Sequence, residues 1–274
     1  MVHYNIKSVK LAAHITFFHS PFRKIFLKEV IDALLNLNCE TDIYLYTNRK
    51  QPEFHDIENI KVLVFPYRKY KISRFPKSRI LEVLKLKFLI HPFYLAWENR
   101  KVIENVIEDY DVQLYIEDDI AFRQENLDYW LKKKDIALTN NYNLGFLRIE
   151  KDEVHNQYLT DVNWPLTNML EIKNQKFLLN NLNPYCGFWI YDREELKKFV
   201  KTQEWKFQFD SYGIWEKSAV GQHGKTSNYF KGTIIPLINL NSKLVTPWSS
   251  SVHHLPNNYI GKGQYCTQRF PIKL

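Results

Sequence analysis

Three consecutive acidic residues, Glu117, Asp118 and Asp119, follow directly on the apolar run 112–116. Like charges crowded at the end of a buried strand repel one another and lose hydration, so a cation or hydrogen-bond donors must compensate them. Mg2+ and Mn2+ prefer oxygen ligands, and Mg2+ commonly uses one or two carboxylates with phosphate oxygens completing its shell. The triplet therefore predicts a metal site for a phosphorylated ligand or, alternatively, a polar turn that caps the helix predicted at 124–132.

Strand and helix patterns alternate in the first part of the chain. Apolar runs at 11–19, 42–47 and 60–65 predict strands, and a helical stripe of apolar residues at 22–37 separates the first two. A second helix is predicted at 93–107. This order is typical of βαβ units, so we expect an α/β fold with a Rossmann-like, mostly parallel central sheet flanked by helices.

Polar residues follow the predicted strands. His19 comes after the first strand and Asn48 after the second, while Arg23 lies at the start of the first helix. Ligands of open α/β sheets bind beyond the carboxyl ends of the strands. We therefore expect these residues to lie at the same edge of the sheet as the acidic triplet, with Arg23 near a bound diphosphate.

The pattern changes after residue 134. The Asn-rich stretch 140–183 predicts loops and short strands, in an irregular second half. An aromatic strand is predicted at 183–191, followed by a helix capped by Asp192 and another beginning near Trp215. His253 and His254 lie outside any periodic segment.

Composition limits the class of protein. The chain has 274 residues, 45% of them hydrophobic and 25% charged, which is typical of a globular domain. No apolar run is long enough to span a bilayer, and the first residues lack the apolar core of a secretory signal. The three cysteines are far apart and show no metal-ligand spacing. A reducing, cytoplasmic location is expected.

Positive charge is concentrated in one stretch. The formal net charge is +8, and residues 68–87 contain eight Lys or Arg against one Glu. This composition predicts either peripheral contact with an anionic membrane or attraction of a phosphorylated ligand, and a solvated connector is the alternative. No nucleic-acid-binding motif accompanies the charge, so nucleic acid is not an expected partner.

The order of four short motifs resembles the GT-A fold of nucleotide-sugar-dependent glycosyltransferases. The motifs are the acidic triplet, a Gly-containing loop at 184–187, an acid at a helix start at Glu216, and the late pair His253 and His254. The resemblance covers most of the chain and implies one GT-A-like domain over 1–274, in which 1–120 binds the nucleotide-sugar and 121–274 binds the acceptor. Glu117 departs from the family, because the first acid is usually Asp.

The resemblance also implies an activity and its ligands. It implies a metal-dependent transfer of a sugar from a nucleotide-diphosphate donor, with UDP-sugar favoured, to a glycan or polysaccharide acceptor. Mn2+ or Mg2+ would be held by Asp119 directly, by Asp118 directly or through water, and by His254 ahead of His253. Glu117 would lie on the ribose side of the donor. Two exposed loop histidines without a role are the alternative.

An inverting transfer needs a general base for the acceptor hydroxyl. Glu216 is the first candidate and Asp210 the second, although Glu216 could instead stabilise the positive end of its helix. Candidates for the acceptor site are four aromatic and three polar residues. These are Tyr185, Trp189, Trp164 and Trp248 for stacking, and Arg148, Glu150 and Asp161 for hydroxyl groups.

Two other functions use some of the same residues. A metal-dependent nucleotidyltransferase or phosphodiesterase also clusters carboxylates around phosphate, but it usually needs a second set of acids that the sequence does not show. A carbohydrate-binding module without catalysis would explain the aromatic residues and leave the triplet without a purpose.

Overall fold

The computed structural model describes residues 9–66, 92–206, 213–223 and 232–274. The basic stretch 68–87 and Asp210 lie outside these residues. The strands of the described residues are β1 (Lys10–Phe17), β2 (Glu40–Thr47), β3 (Ile60–Val64), β4 (Val112–Glu117), β5 (Ile120–Ala121), β6 (Tyr142–Leu144), β7 (Leu147–Lys151), β8 (Gln157–Leu159), β9 (Met169–Ile172), β10 (Gln175–Leu179), β11 (Phe188–Asp192), β12 (Gly232–Pro236), β13 (Ile238–Leu240), β14 (Lys243–Val245), β15 (Ser251–His254) and β16 (Gln268–Arg269). The α-helices are α1 (Lys24–Leu35), α2 (Asn99–Val106), α3 (Gln124–Leu138), α4 (Arg193–Phe199) and α5 (Ile214–Val220).

The central sheet has the strand order β11-β4-β1-β2-β3. β1 is parallel to β2 and β4, β2 is parallel to β3, and β11 runs antiparallel to β4. β1 is buried along most of its length, as expected for a parallel strand covered on both faces. The predicted α/β class with a mostly parallel central sheet is confirmed.

One local prediction was wrong, and one segment without a pattern is a strand. The helix predicted at 93–107 is a 3-10 helix, Pro92–Trp97, followed by the shorter α2. The Asn99 side chain donates to the Ala96 carbonyl (3.2 Å), and such local bonds compete with a continuous helix. The two late histidines lie in β15, which has only four residues, too few to show a strand period.

The acidic triplet links two sheets. β4 belongs to the central sheet, whereas β5 belongs to a five-stranded sheet with the order β16-β8-β7-β15-β5. Gly187 lies beside this crossing with φ +78°, and a Cβ there would come within 2.7 Å of the Ile120 side chain. The close approach of β11 to the triplet therefore requires glycine.

The triplet does not cap the next helix. α3 begins after Arg123, whose backbone N–H donates to the Asn126 side chain (2.9 Å) in a capping box. The alternative that the acids are a helix cap is therefore wrong, and their charge has to be compensated elsewhere. Within the described ranges, no helix is long and apolar enough to cross a bilayer.

His14 is a neutral, fully buried histidine in the middle of β1. Gln113 donates to the Val106 carbonyl through its amide nitrogen, so its oxygen accepts from His14 Nε2 (2.6 Å), and the Tyr46 hydroxyl donates to Nδ1 (2.9 Å). Burial lowers the pKa of His14 to about 3. The folded protein therefore keeps this ring uncharged at pH values where the unfolded chain protonates it.

We expect His14 to make the protein acid-sensitive. Its stabilising contribution is complete above the unfolded pKa of 6.5 and is lost as the pH falls from 6.5 toward 3, at about 1.4 kcal/mol per pH unit. Urea unfolding at pH 7 and pH 5 should show a larger loss of free energy of unfolding in wild type than in His14→Gln, by about 2 kcal/mol. Equal losses in the two proteins would contradict this.

Candidate functional site

A cleft opens at the carboxyl ends of β1 and β4. The strand order reverses here, because β2 and β3 lie on one side of β1 and β4 on the other, and ligands of open α/β sheets bind at this point. The cleft has about 780 Å³ of open space. Its lining residues are Thr16, Phe18, Ser20, Arg23, Phe93, Leu95, Ala96, Tyr115, Glu117, Asp118 and Trp215.

Aromatic rings form part of the cleft wall. Phe93 and Trp215 stack with their ring centroids 4.6 Å apart and their planes at 15°. Phe93 is 38% exposed and Phe18, on the loop after β1, is 37% exposed. Flat rings that remain partly open to solvent in a cleft can stack on a planar ligand group.

Arg23 compensates two of the three acids. Its Nε donates to Asp118 Oδ2 (3.0 Å), and its Nη2 donates to Asp119 Oδ2 (2.8 Å) and also to Asp118 Oδ1. The carboxylate side chains are only 7% and 5% exposed, whereas that of Arg23 is 35% exposed at the cleft. The sequence placed Arg23 at the right edge of the sheet but did not predict that it binds the triplet itself.

His254 connects Asp119 to a second buried acid, Glu150. Its Nδ1 lies 2.6 Å from Glu150 Oε1, and its Nε2 lies 3.3 Å from Asp119 Oδ2. The other Glu150 oxygen accepts from the backbone N–H groups of Tyr259 (2.9 Å) and Ile260 (3.0 Å). Glu150 therefore fixes both the imidazole ring and the loop that follows β15.

Burial and mutual charge shift the pKa values of this cluster. Burial, and secondly the charge of Asp119, raise the pKa of Glu117 to about 8, while Tyr185 donates to its Oε1 (2.7 Å). Burial also raises the pKa of Asp118 to about 6 against the effect of Arg23. For Asp119 burial acts in the same direction, but hydrogen bonding from His254 and the charge of Arg23 outweigh it and lower its pKa.

Asp119 has the features of a metal ligand. Its Oδ1 is buried and has no hydrogen-bond partner among the described residues, which costs free energy unless a ligand binds it. A histidine whose Nδ1–H is held by a carboxylate presents Nε2 in the way metal ligands do. In the part of the chain that the structure describes, no three His, Cys, Asp or Glu side chains form a metal site by themselves. Asp119 and His254 therefore fit a metal whose remaining ligands come from a bound molecule.

His253 points away from the acidic cluster. Side chains alternate across a strand, so His253 and His254 lie on opposite faces of β15. His253 Nε2 lies 2.9 Å from Asn257 Oδ1 and contributes to a separate groove. The structure thus brings His254, and not His253, to the triplet.

His19 and Asn48 lie at the predicted edge of the sheet but do not line the cleft. The backbone N–H of His19 donates to Asn48 Oδ1 (2.7 Å), and His19 Nδ1 lies 3.1 Å from Gln51 Nε2. These contacts join the loops that follow β1 and β2. His19 and Asn48 therefore stabilise the loop after β1, which carries the cleft residues Phe18 and Ser20.

Glu216 lies in the first turn of α5, beside the cleft residue Trp215. Its carboxylate folds back against Gly213, at the start of the helix. This position matches the alternative that Glu216 stabilises the helix end, and Glu216 does not itself line the cleft. Asp210, the second candidate base, lies outside the described residues.

The proposed acceptor residues separate into two groups. Arg148 and Asp161 form a two-bond ion pair (2.7 and 2.6 Å), and Glu150 holds His254, so these three are engaged inside the protein. Trp189 is 1% exposed and donates to the Ser218 carbonyl, which makes it a core residue. Trp164 and Trp248 remain 53% and 55% exposed. Glu150 follows the segment 144–149, and no local pattern there indicates that its side chain contacts His254.

Comparisons with known proteins add little to this geometry. No family model matches the chain, and no curated protein matches it. Similar solved structures include the apo bifunctional glycosyltransferase WbbM, with 14% identity over 71% of this chain and 33% of that chain and a TM-score of 0.30. An active-site mutant of LgtC has 13% identity over 77% of this chain and 69% of that chain, with a TM-score of 0.34. The chain thus spans about one third of the length of WbbM, and both structural similarities are weak.

Proposed function

We propose that this protein is a metal-dependent glycosyltransferase that moves a sugar from a nucleotide-diphosphate donor, with UDP-sugar favoured, to a glycan acceptor. The observation that supports this best is the cleft between β1 and β4, which has stacked aromatic rings in its wall and a buried acid–arginine cluster beside it. The aromatic rings offer a surface on which a nucleobase can stack, and the acid–arginine cluster offers charges that can bind a metal and a diphosphate.

Each part of the cluster has a role in this proposal. Asp119 and His254 would hold Mn2+ or Mg2+, with Asp118 as a further ligand directly or through water. When bound, the metal would supply Lewis-acid neutralisation of the leaving diphosphate. Arg23 adds a positive charge at the same place, and Glu117 faces the cleft beside Asp118, where it would meet the ribose side of the donor.

A nucleotide-binding panel tests this function. UDP, GDP and CMP are added to wild type and to Asp119→Ala with and without Mn2+, and the unfolding temperature is measured. Because binding to the native state alone stabilises it, one diphosphate nucleotide at about 100 times its Kd should raise the unfolding temperature by about 5 °C, only with Mn2+ and only in wild type. The absence of any shift would overturn the proposal and favour a binding module without catalysis.

The Glu216→Gln variant tests the proposed general base. If Glu216 accepts the proton of the acceptor hydroxyl, turnover should fall about a hundredfold while the nucleotide-induced shift stays unchanged. Glu194→Gln is the matched control, because Glu194 lies in the first turn of α4. Turnover near wild type in Glu216→Gln, with a loss of stability equal to that of the control, would leave Glu216 only its helix-end role.

The proposal extends to location. We infer a cytoplasmic protein that contacts an anionic membrane through residues 68–87, where eight basic residues stand against one acid. Sedimentation with anionic vesicles should deplete the protein from solution at low salt and release it at high salt. Equal partition onto neutral and anionic vesicles would contradict this contact.

A further inference from the structure

A second groove lies on the face of β15 opposite the acidic cluster. His253 lines this groove, whereas its neighbour His254 contacts Asp119 on the other face. The groove has a volume of about 410 Å³, and α3, β7, β8, β15 and the 3-10 helix Trp248–Ser250 contribute to its walls. This size is in the range of ligand sites, and none of the residues that the proposed function assigns to the donor or the metal lines the groove.

One wall of the groove presents a fixed aromatic ring. Trp248 is 55% exposed, yet its ring packs against the edge of Phe270 with the centroids 5.2 Å apart and the planes at 77°. The Asn126 side chain donates to the carbonyls of Ser249 (2.9 Å) and Ser251 (2.8 Å), which anchors the turn that carries Trp248. The indole is therefore held in place without being covered.

The other walls supply both donors and acceptors. Asn257 Oδ1 accepts a hydrogen bond from the Lys151 backbone N–H (2.8 Å), which identifies this atom as an acceptor. His253 Nε2 therefore carries the proton and donates to it (2.9 Å). In the neutral ring, His253 Nδ1 is then an acceptor. Gln157 Oε1 is buried and has no hydrogen-bond partner among the described residues. Lys151 also lines the groove, and its ammonium group is a hydrogen-bond donor. Hydroxyl groups, which both donate and accept, match such a mixed lining.

We propose that this groove is a saccharide-binding subsite, separate from the transfer site, in which the apolar face of a sugar ring packs on Trp248. Its ring hydroxyls bond to Lys151, Gln157 and His253. A pyranose is the ligand class that combines an apolar C–H face with a rim of hydroxyl groups. The proposal that a saccharide binds here depends on the groove alone. The further proposal that this saccharide is part of the acceptor chain rests on the proposed function.

A glycan array tests the subsite, with wild type, Trp248→Ala, Trp164→Ala and Asp119→Ala. Trp164 is the other exposed tryptophan among the acceptor candidates, and it is the matched control because it lies outside the groove. Isothermal titration of the best-bound saccharide should then show an affinity at least about tenfold weaker in Trp248→Ala, and unchanged affinity in the other two variants. Lys151→Ala, which leaves the packing on Phe270 intact, should also weaken binding.

Three results would overturn the subsite. These are the absence of saccharide binding by wild type, wild-type affinity in both Trp248→Ala and Lys151→Ala, and loss of binding in Asp119→Ala, which would place the saccharide at the transfer site. Failure of the glycosyltransferase proposal is separately visible. In that case no nucleotide shifts the unfolding temperature, while the array still reports a saccharide that depends on Trp248.

Discussion

Replacing Asp119 by Asn is expected to reduce sugar transfer by about a thousandfold, equivalent to about 4 kcal/mol of transition-state stabilisation. The Asp119 carboxylate is the group that both Arg23 and His254 contact, and its Oδ1 is the buried oxygen left without a partner among the described residues. Asn keeps the shape of the side chain but removes the charge that would hold a divalent ion. The measurements are turnover and the Mn2+-dependent nucleotide shift, and both should be lost.

The adjacent histidines provide the control for this prediction. His254→Ala should lower transfer about 10- to 100-fold, because a ring held by Glu150 is removed from Asp119. His253→Ala changes the same residue type one position away, on the opposite face of β15, and should leave the Mn2+-dependent nucleotide shift at its wild-type size, whereas His254→Ala should reduce it. Equal losses of the nucleotide shift in the two variants would show that metal binding does not depend on which face of β15 the histidine occupies. That outcome would remove His254 from the proposed metal site.

Removing the Arg23 side chain is expected to destabilise the metal-free protein by about 2 kcal/mol. Removing one partner of a buried ion pair typically lowers the free energy of unfolding by about 3–5 kcal/mol. The loss expected here is smaller because the Arg23 side chain is 35% exposed. In Arg23→Ala, Asp118 and Asp119 lose the guanidinium that compensates them. Added Mn2+ should therefore raise the unfolding temperature of the variant more than that of wild type, since the ion no longer competes with Arg23 for these oxygens. Denaturant unfolding with and without Mn2+ measures both effects.

Arg123→Ala is the matched control for Arg23. It also lies just before a helix, but its ion pair with Glu29 is exposed, at 40% and 49% of the two side chains. An exposed pair of this kind contributes about 0–1 kcal/mol, and Mn2+ should not act differently on this variant and on wild type. If Arg23→Ala were no less stable than Arg123→Ala, the guanidinium would not be the cation that the triplet requires.

The α/β fold class could be predicted from the sequence alone. Its short apolar runs and its helical stripe of apolar residues are local signals, and they predicted β1, α1, β2 and β3 close to their observed bounds. The position of the acidic triplet at the end of β4 was also local, because it follows directly on an apolar strand. Three adjacent acids at the end of a buried strand require compensation, so the need for a cation or for hydrogen-bond donors could be predicted without any structure.

The groups that compensate the acids could not be predicted from the sequence, because they are distant from the acids along the chain. Arg23 is 95 residues from Asp118, and Glu150 is 104 residues from His254, so no local pattern could pair them. Because β15 is a strand, His253 and His254 lie on opposite faces, and only His254 reaches the triplet. A segment of four residues is too short for its sequence to predict a strand. These contacts join the connection between β4 and β5 to the start of α1, and β15 to β7. A sequence specifies the charges of such a cluster, but their partners are fixed by packing between segments that are distant along the chain.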